Sequence, residues 1–179
     1  MTFKRAAAVL EPWFGTDGPD DKSGTARADF LVGLQGDDTL RGLGRSDTLN
    51  GQEGADKLYG GAGADRLYVS GGDRAWGGTG SDTFVLLDYD RLVGFTDPGR
   101  GVIKDFDAVG ADHDVLDVSM FETTWADRDA GMEDGFEILQ SGANVVMRFE
   151  GQNGSVATMV LENTRLADLD RADFLFTLI

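Results

Sequence analysis

"GLQGDDTLRGLGRSDTLNGQEGADKLYGGAGADRLY" runs from Gly33 to Tyr68. It divides into four blocks of nine residues, each with Gly first, Asp sixth and Leu eighth. The register extends both ways. Upstream stand GTDGPDDKS from Gly15 and GTARADFLV from Gly24. Downstream stand a shortened VSGGDRAW from Val69 and GGTGSDTFV from Gly77. The acid recurs as Asp20, Asp29, Asp38, Asp47, Asp56, Asp65, Asp73 and Asp82, in steps of nine except for one step of eight before Asp73. Two positions after it comes a core residue: Leu31, Leu40, Leu49, Leu58, Leu67, Ala75, Phe84. The first copy breaks this rule with Lys22. A disordered Gly/Asp linker has no reason to keep Asp and Leu in phase, so the period is structural.

The spacing dictates a conformation. G-x-x-G-x-D is a turn, in which glycine supplies positive φ and close backbone approach. The remaining x-Leu-x is a short strand with one side chain pointing inward. Two copies make one coil, and coils stack as two parallel sheets around a thin core of leucines. Copies 18 residues apart therefore lie above one another. One edge stacks Asp20, Asp38, Asp56 and Asp73; the other stacks Asp29, Asp47, Asp65 and Asp82. Carboxylates at the strand spacing of ~4.8 Å repel. Turn carbonyls without strand partners add buried acceptors. A hard divalent cation answers both demands. Ca2+ accepts 6–8 oxygens in irregular geometry, whereas Mg2+ demands an octahedron and holds its waters.

Composition agrees. The formal net charge is −16, with 25 Asp against 7 Glu, and Asp is the acid of turns and hard-cation sites. A surface this negative repels phosphates, which argues against nucleic acid. With no cysteine and one histidine, His113, thiolate sites and sites needing two imidazoles are excluded. The apolar run Ala6–Leu10 is too short for a cleavable signal, which needs roughly 7–15 residues. No segment approaches the ~18 apolar residues of a membrane span.

The nonapeptide closely resembles the calcium-binding repeat of the RTX (repeats-in-toxin, haemolysin-type) family. The resemblance implies an all-β fold: a parallel β-roll, a calcium-stabilised two-sheet solenoid. It also implies how ions are held. Each sits between two stacked turns, with carbonyls from the second and fourth positions of one, the first and third of the other, and both Asp. One implied site is Gly61, Gly63 and Asp65 with Gly77, Thr79 and Asp82. A second is Leu34, Gly36 and Asp38 with Gly51, Glu53 and Asp56. A third is Leu43, Arg45 and Asp47 with Gly60, Ala62 and Asp65. Asp29 and Asp73 are implied as further metal ligands, at the remaining turns. Arg27 and Arg45 replace the fourth-position glycine and strain their turns, and the short copy at Val69 weakens the site between Asp56 and Asp73. About four ions are expected.

The organisation reads as a lead segment 1–14, a roll 15–85 and a capping region 86–179, in one continuous domain. "VIKDFDAVGADHDVLDVSMF" (Val102–Phe121) resembles the segment that follows the repeats in secreted RTX proteins. Its Asp105, Asp107, Asp112, Asp114 and Asp117 are a candidate further calcium site, and His113 is expected to be exposed. "SGANVVMRFEG" and "GSVATMVLEN" predict a hairpin around Gly151–Gly154. Thr164 or Asp168 is expected to cap a short helix that buries Leu166 and Leu169. Leu169, Asp173, Phe174 and Phe176 resemble the C-terminus of RTX proteins exported by type I secretion, where the signal is uncleaved.

The function expected is that of an extracellular calcium-binding protein that folds on meeting Ca2+ after passing a type I exporter. No nucleophile–base constellation is present, so no catalytic centre is expected. The alternative is a module for an extracellular polysaccharide or cell surface, resembling the non-catalytic repeat modules of alginate epimerases. Arg41, Lys57, Tyr59, Arg66 and Tyr68, at outward seventh and ninth positions, are its candidate contacts.

Overall fold

The computed structural model of the chain describes residues 11–87, 100–121, 136–150 and 156–176. The repeat becomes nine strands: β1 (Trp13–Phe14), β2 (Asp21–Ser23), β3 (Phe30–Gln35), β4 (Thr39–Gly44), β5 (Thr48–Glu53), β6 (Lys57–Ala62), β7 (Arg66–Val69), β8 (Arg74–Thr79) and β9 (Thr83–Leu86). Odd strands pair with odd and even with even, all in parallel. Leu31 lies beside Leu49, and Leu40 beside Leu58. The chain is therefore the expected two-sheet parallel β-roll. The shortened copy does not disturb this stacking. Leu58 still meets Ala75 and Leu67 still meets Phe84. The missing residue is lost from a turn, and β7 stops at Val69.

The eighth-position side chains Leu40, Leu49, Leu58, Leu67, Ala75 and Phe84 are each 0% exposed. Burying a leucine is worth roughly 1.5–3 kcal/mol, so these two files, one from each sheet, are the apolar spine of the repeats. Lys22 stands at the same register beside Leu40, at the open first coil, with its ammonium 5.4 Å from the Trp13 ring.

The segments after the repeats continue both sheets. β10 (Arg100–Ile103) pairs with β8, and β11 (Val115–Asp117) with β9. The final β15 (Phe174–Leu175) pairs with β11. The predicted hairpin strands are present as β13 (Asn144–Glu150) and β14 (Val156–Leu161), which are antiparallel. Their turn at 151–154 lies outside the described residues, as do residues 1–10 of the lead segment. β14 docks in parallel on β10. A further antiparallel strand, β12 (Phe136–Ser141), lies outside β13; sequence reasoning missed it. Its alternation was legible, since Phe136 and Ile138 are buried while Leu139 is exposed.

The predicted helix is two 3-10 turns, Leu166–Asp168 and Arg171–Asp173. Neither Thr164 nor Asp168 caps them. Asp170 accepts from the Ala172 N–H and forms a reciprocal capping box with Asp173. Leu169 is buried as expected, and Leu166 packs partly buried against the core. His113 is a second correction. It is half-buried, and its Nε2 meets Oδ1 of the buried Asp173, tying the segment before β11 to the chain's final turn. No helix among the described residues is long and apolar enough to cross a membrane.

Candidate metal centre

Every turn in the two rows is built on the same bond. The N–H of one Asp donates to Oδ1 of the Asp one coil later. On the first edge this runs Asp20 to Asp38 to Asp56 to Asp73, at 2.8, 2.8 and 2.9 Å. On the second it runs Asp29 to Asp47 to Asp65 to Asp82, at 2.7, 2.7 and 2.8 Å. The two acid rows are therefore the ones the period predicts. The second row goes further than expected, because the Asp82 N–H donates to Oδ1 of Asp114 at 2.9 Å. Sequence reasoning placed Asp114 in a loop cluster. Asp114 stands 32 residues after Asp82, where the other steps of the row are 17 or 18, and that hid it.

The other oxygen, Oδ2, divides the rows into two kinds of turn. In Asp38, Asp47, Asp56, Asp65 and Asp82 it is buried with no hydrogen-bond partner. An ionised oxygen in that state is strongly destabilising unless a cation meets it. In Asp20, Asp29, Asp73 and Asp114 protein donors meet it. Thr16 donates its N–H and hydroxyl to Asp20, and Thr25 does the same to Asp29. Ser70 gives its N–H and hydroxyl to Asp73, both at 2.8 Å, and Asp107 gives its N–H to Asp114.

The first-position glycines follow from the carboxylates themselves, in open and closed turns alike, since a Cβ on Gly15 or Gly24 would also stand 2.6 or 2.7 Å from the Oδ2 of its turn's Asp. A Cβ on Gly33, Gly42, Gly51, Gly60 or Gly77 would stand 2.0, 2.2, 1.7, 2.5 or 2.3 Å from the Oδ2 of its own turn's Asp. Any side chain there displaces the carboxylate. The second position needs something else. Leu34, Leu43, Gln52, Gly61 and Gly78 have φ of 84°, 83°, 72°, 112° and 100°. Left-handed backbone costs a non-glycine residue roughly 1–2 kcal/mol. Leu43 is half exposed and contributes little packing. Leu43→Gly is therefore expected to stabilise the calcium-loaded roll by about 1 kcal/mol, or ~2–4 °C in Tm by calorimetry. Arg45 takes φ of 75°, the strain its position predicts, whereas Arg27 stays out of the left-handed region and the strain expected of its turn is absent.

Among the described residues, no three His, Cys, Asp or Glu side chains gather at one point. Each stacked pair of turns offers two carboxylates, so the remaining donors for a cation are backbone carbonyls. The Glu53 and Thr79 carbonyls accept one N–H each, from Gly36 and Gly63, which leaves each a lone pair. Oxygen-only donors in irregular turns suit Ca2+.

The acids after the repeats do not converge. Asp105 caps the Gly77 and Gly78 N–H groups, Asp107 and Asp114 bond each other's loop, and Asp117 turns to Arg66 and Ser119. Asp112 joins none of these contacts. Burial pushes the carboxyls of Asp47, Asp56 and Asp114 up to about 6 and that of Asp82 to about 7; N–H donors oppose the shift and neighbouring carboxylates add to it. Asp117 lies below the usual range, because its Ser119 and Arg66 partners together outweigh burial.

The sign of the pH dependence follows. Carboxyls raised from about 4 to 6–7 bind more protons in the folded, metal-free chain than in the unfolded one. Metal-free stability is then greatest below about pH 4 and falls as pH rises to about 7. A cation needs the ionised form and reverses the trend. Circular dichroism in EDTA should show more strand at about pH 4.5 than at 7.5, and the calcium midpoint should weaken between about pH 7.5 and 5.5.

The geometry is matched by comparison with known proteins. Residues 14–44, 41–74 and 69–85 match the RTX calcium-binding nonapeptide repeat (4 copies), so this part of the chain is a run of RTX calcium-binding repeats. The fold is similar to the solved AlgE6R2 subunit of the Azotobacter vinelandii mannuronan C5-epimerase, with TM-score 0.55 and 28% identity over 94% of this chain and 95% of that one. The AlgE6R3 subunit of the same enzyme shares the fold at TM-score 0.53 and 23% identity, over 96% of this chain and 86% of that one. No curated protein matches in sequence.

Proposed function

We propose that the chain is an extracellular calcium-binding module that folds as it binds Ca2+, and that it has no catalytic centre. The observation that carries this is the set of five buried, partnerless carboxylate oxygens. Asp38 with Asp56, Asp47 with Asp65, and Asp65 with Asp82 frame the ion seats, each completed by the turn carbonyls named above. When bound, Ca2+ supplies the charge that lets these carboxylates stay ionised and buried. Such a seat does not exist in the unfolded chain, so binding energy is folding energy. RTX repeats are typical of secreted proteins. A chain unfolded at low cytosolic calcium suits threading through a type I exporter, with folding outside at affinities of roughly 0.1–1 mM. A calcium titration followed by circular dichroism tests it: strand signal should appear over that range, and a titration without change would refute it.

A second reading, a calcium-dependent module for an extracellular polysaccharide, is favoured by one face. The candidate contacts split between the sheets. Arg66 and Tyr68 lie on the odd sheet, where Arg66 is bound to Asp117. Arg41 and Tyr59 lie on the even sheet, in a stack that continues through Trp76, 4.4 Å from Tyr59, to Lys104. Beside it Lys57 faces Arg74 on the next strand, with no ion-pair partner among the described residues. Like charges so placed are destabilising, and an anionic ligand would relieve them. If this reading holds, replacing Lys57 and Arg74 with serine abolishes retention on an acidic-glycan array in calcium and leaves the fold intact. Unchanged retention would remove it.

A further inference from the structure

The open and closed turns are not scattered. On the first edge the order is Asp20 closed, Asp38 and Asp56 open, Asp73 closed. On the second it is Asp29 closed, Asp47, Asp65 and Asp82 open, Asp114 closed. Both rows are open in the middle and sealed at each end by protein donors. We propose that Thr16, Thr25, Ser70 and the Asp107 amide are terminators that limit the roll to three ions, one on the first edge and two on the second. This rests on the calcium reading and adds what sets the number: ions occupy only the places where two open turns stack.

The cause is a side chain at the second position. All five open turns hold that residue at positive φ. Leu, Gln and Gly reach this conformation with little or moderate strain, but a β-branched residue there is a true outlier. Thr16 and Thr25 stand at the same position in the first two copies and are not left-handed. Their N–H groups instead close onto Oδ2 of their own Asp, at 2.7 and 2.6 Å, and their hydroxyls add a second bond. The donors at Oδ2 thus stand where a cation would otherwise be required.

The shortened copy reaches the same end by another route. The loss of one residue tightens the turn, with the Asp73 N–H on the Ser70 carbonyl and φ of 87° at Gly72. Ser70 then lies over Asp73 and fills its oxygen. The first edge thereby stops one coil earlier than the second, which runs on through Asp82. Four ions, the number suggested by counting repeats, becomes three.

The test is ion stoichiometry by native mass spectrometry and calorimetry on the full chain, with circular dichroism as the check on folding. The wild type should hold three Ca2+. Thr16→Gly, at an exposed site, frees the second position of a copy that already has Gly15, Gly18 and Asp20 in register. It should hold four. Thr16→Val keeps the β-branch and should stay at three. A wild type holding four or more ions, a folded Thr16→Gly that stays at three, or a fourth ion in Thr16→Val would overturn the proposal. A wild type that binds none would overturn the calcium reading with it, whereas the first three outcomes leave that reading standing.

Discussion

In excess EDTA at neutral pH, the roll is expected to lose both parallel sheets. Asp38, Asp47, Asp56, Asp65 and Asp82 are each between 0 and 2% exposed, and each has an oxygen without a donor. An ionised carboxylate buried without a counter-charge costs several kcal/mol even after relaxation. Five such groups are comparable with the ~5–15 kcal/mol by which a domain is stable. No disulfide opposes the collapse, since the chain has no cysteine. The spine of leucines cannot hold the coils alone, because each coil adds only two of them. Far-UV circular dichroism should therefore show a largely unfolded chain in EDTA and a strand spectrum in about 5 mM Ca2+, well above extracellular-module affinities. Mg2+ at the same concentration should restore little, as its octahedron and tightly held waters fit these turns poorly. An equally structured chain in EDTA and calcium would contradict the reading.

The parts of this fold legible in the sequence are those that repeat. Asp at the sixth position and Leu at the eighth fix the coil length, the two sheets and the partners in each acid row. A periodic signal survives because each copy restates it. The missed features are the ones stated once. Asp114 continues the second row 32 residues beyond Asp82, a step outside the repeat's period. His113 finds Asp173 at a separation of 60 residues, and Arg66 finds Asp117 at 51. No local pattern encodes such pairs. The closed turns are a subtler case. Attention falls on the fourth position, where Arg27 and Arg45 replace glycine, yet Arg45 adopts the left-handed backbone and its turn stays open. Neither Gly18 nor Arg27 is left-handed in the closed turns, and on the proposal above the residues that decide are Thr16 and Thr25, at a second position where Leu and Gln are tolerated. What matters there is branching at Cβ, which a search for missing glycines does not detect.

Asp65→Ala is expected to be the most damaging single substitution in the rows. Asp65 is the middle open carboxylate of the second edge and serves the seat it shares with Asp47 and the seat it shares with Asp82. Its Oδ1 also accepts the Asp47 N–H at 2.7 Å, so removal leaves a buried donor unpaired, worth a further ~1–3 kcal/mol. The number of bound ions should fall by two and the calcium midpoint should rise by at least about tenfold, the equivalent of 1.4 kcal/mol. Asp56→Ala provides the contrast. It touches one complete seat, because its other neighbour, Asp73, is sealed by Ser70. It should lose one ion. Asp73→Ala should lose none, yet still destabilise the roll, since the Asp56 N–H and the Ser70 donors are left without an acceptor. The ordering two, one, none is specific to seats between stacked open turns. If each Asp held an ion independently, the three variants would each lose one, and native mass spectrometry separates the two patterns directly.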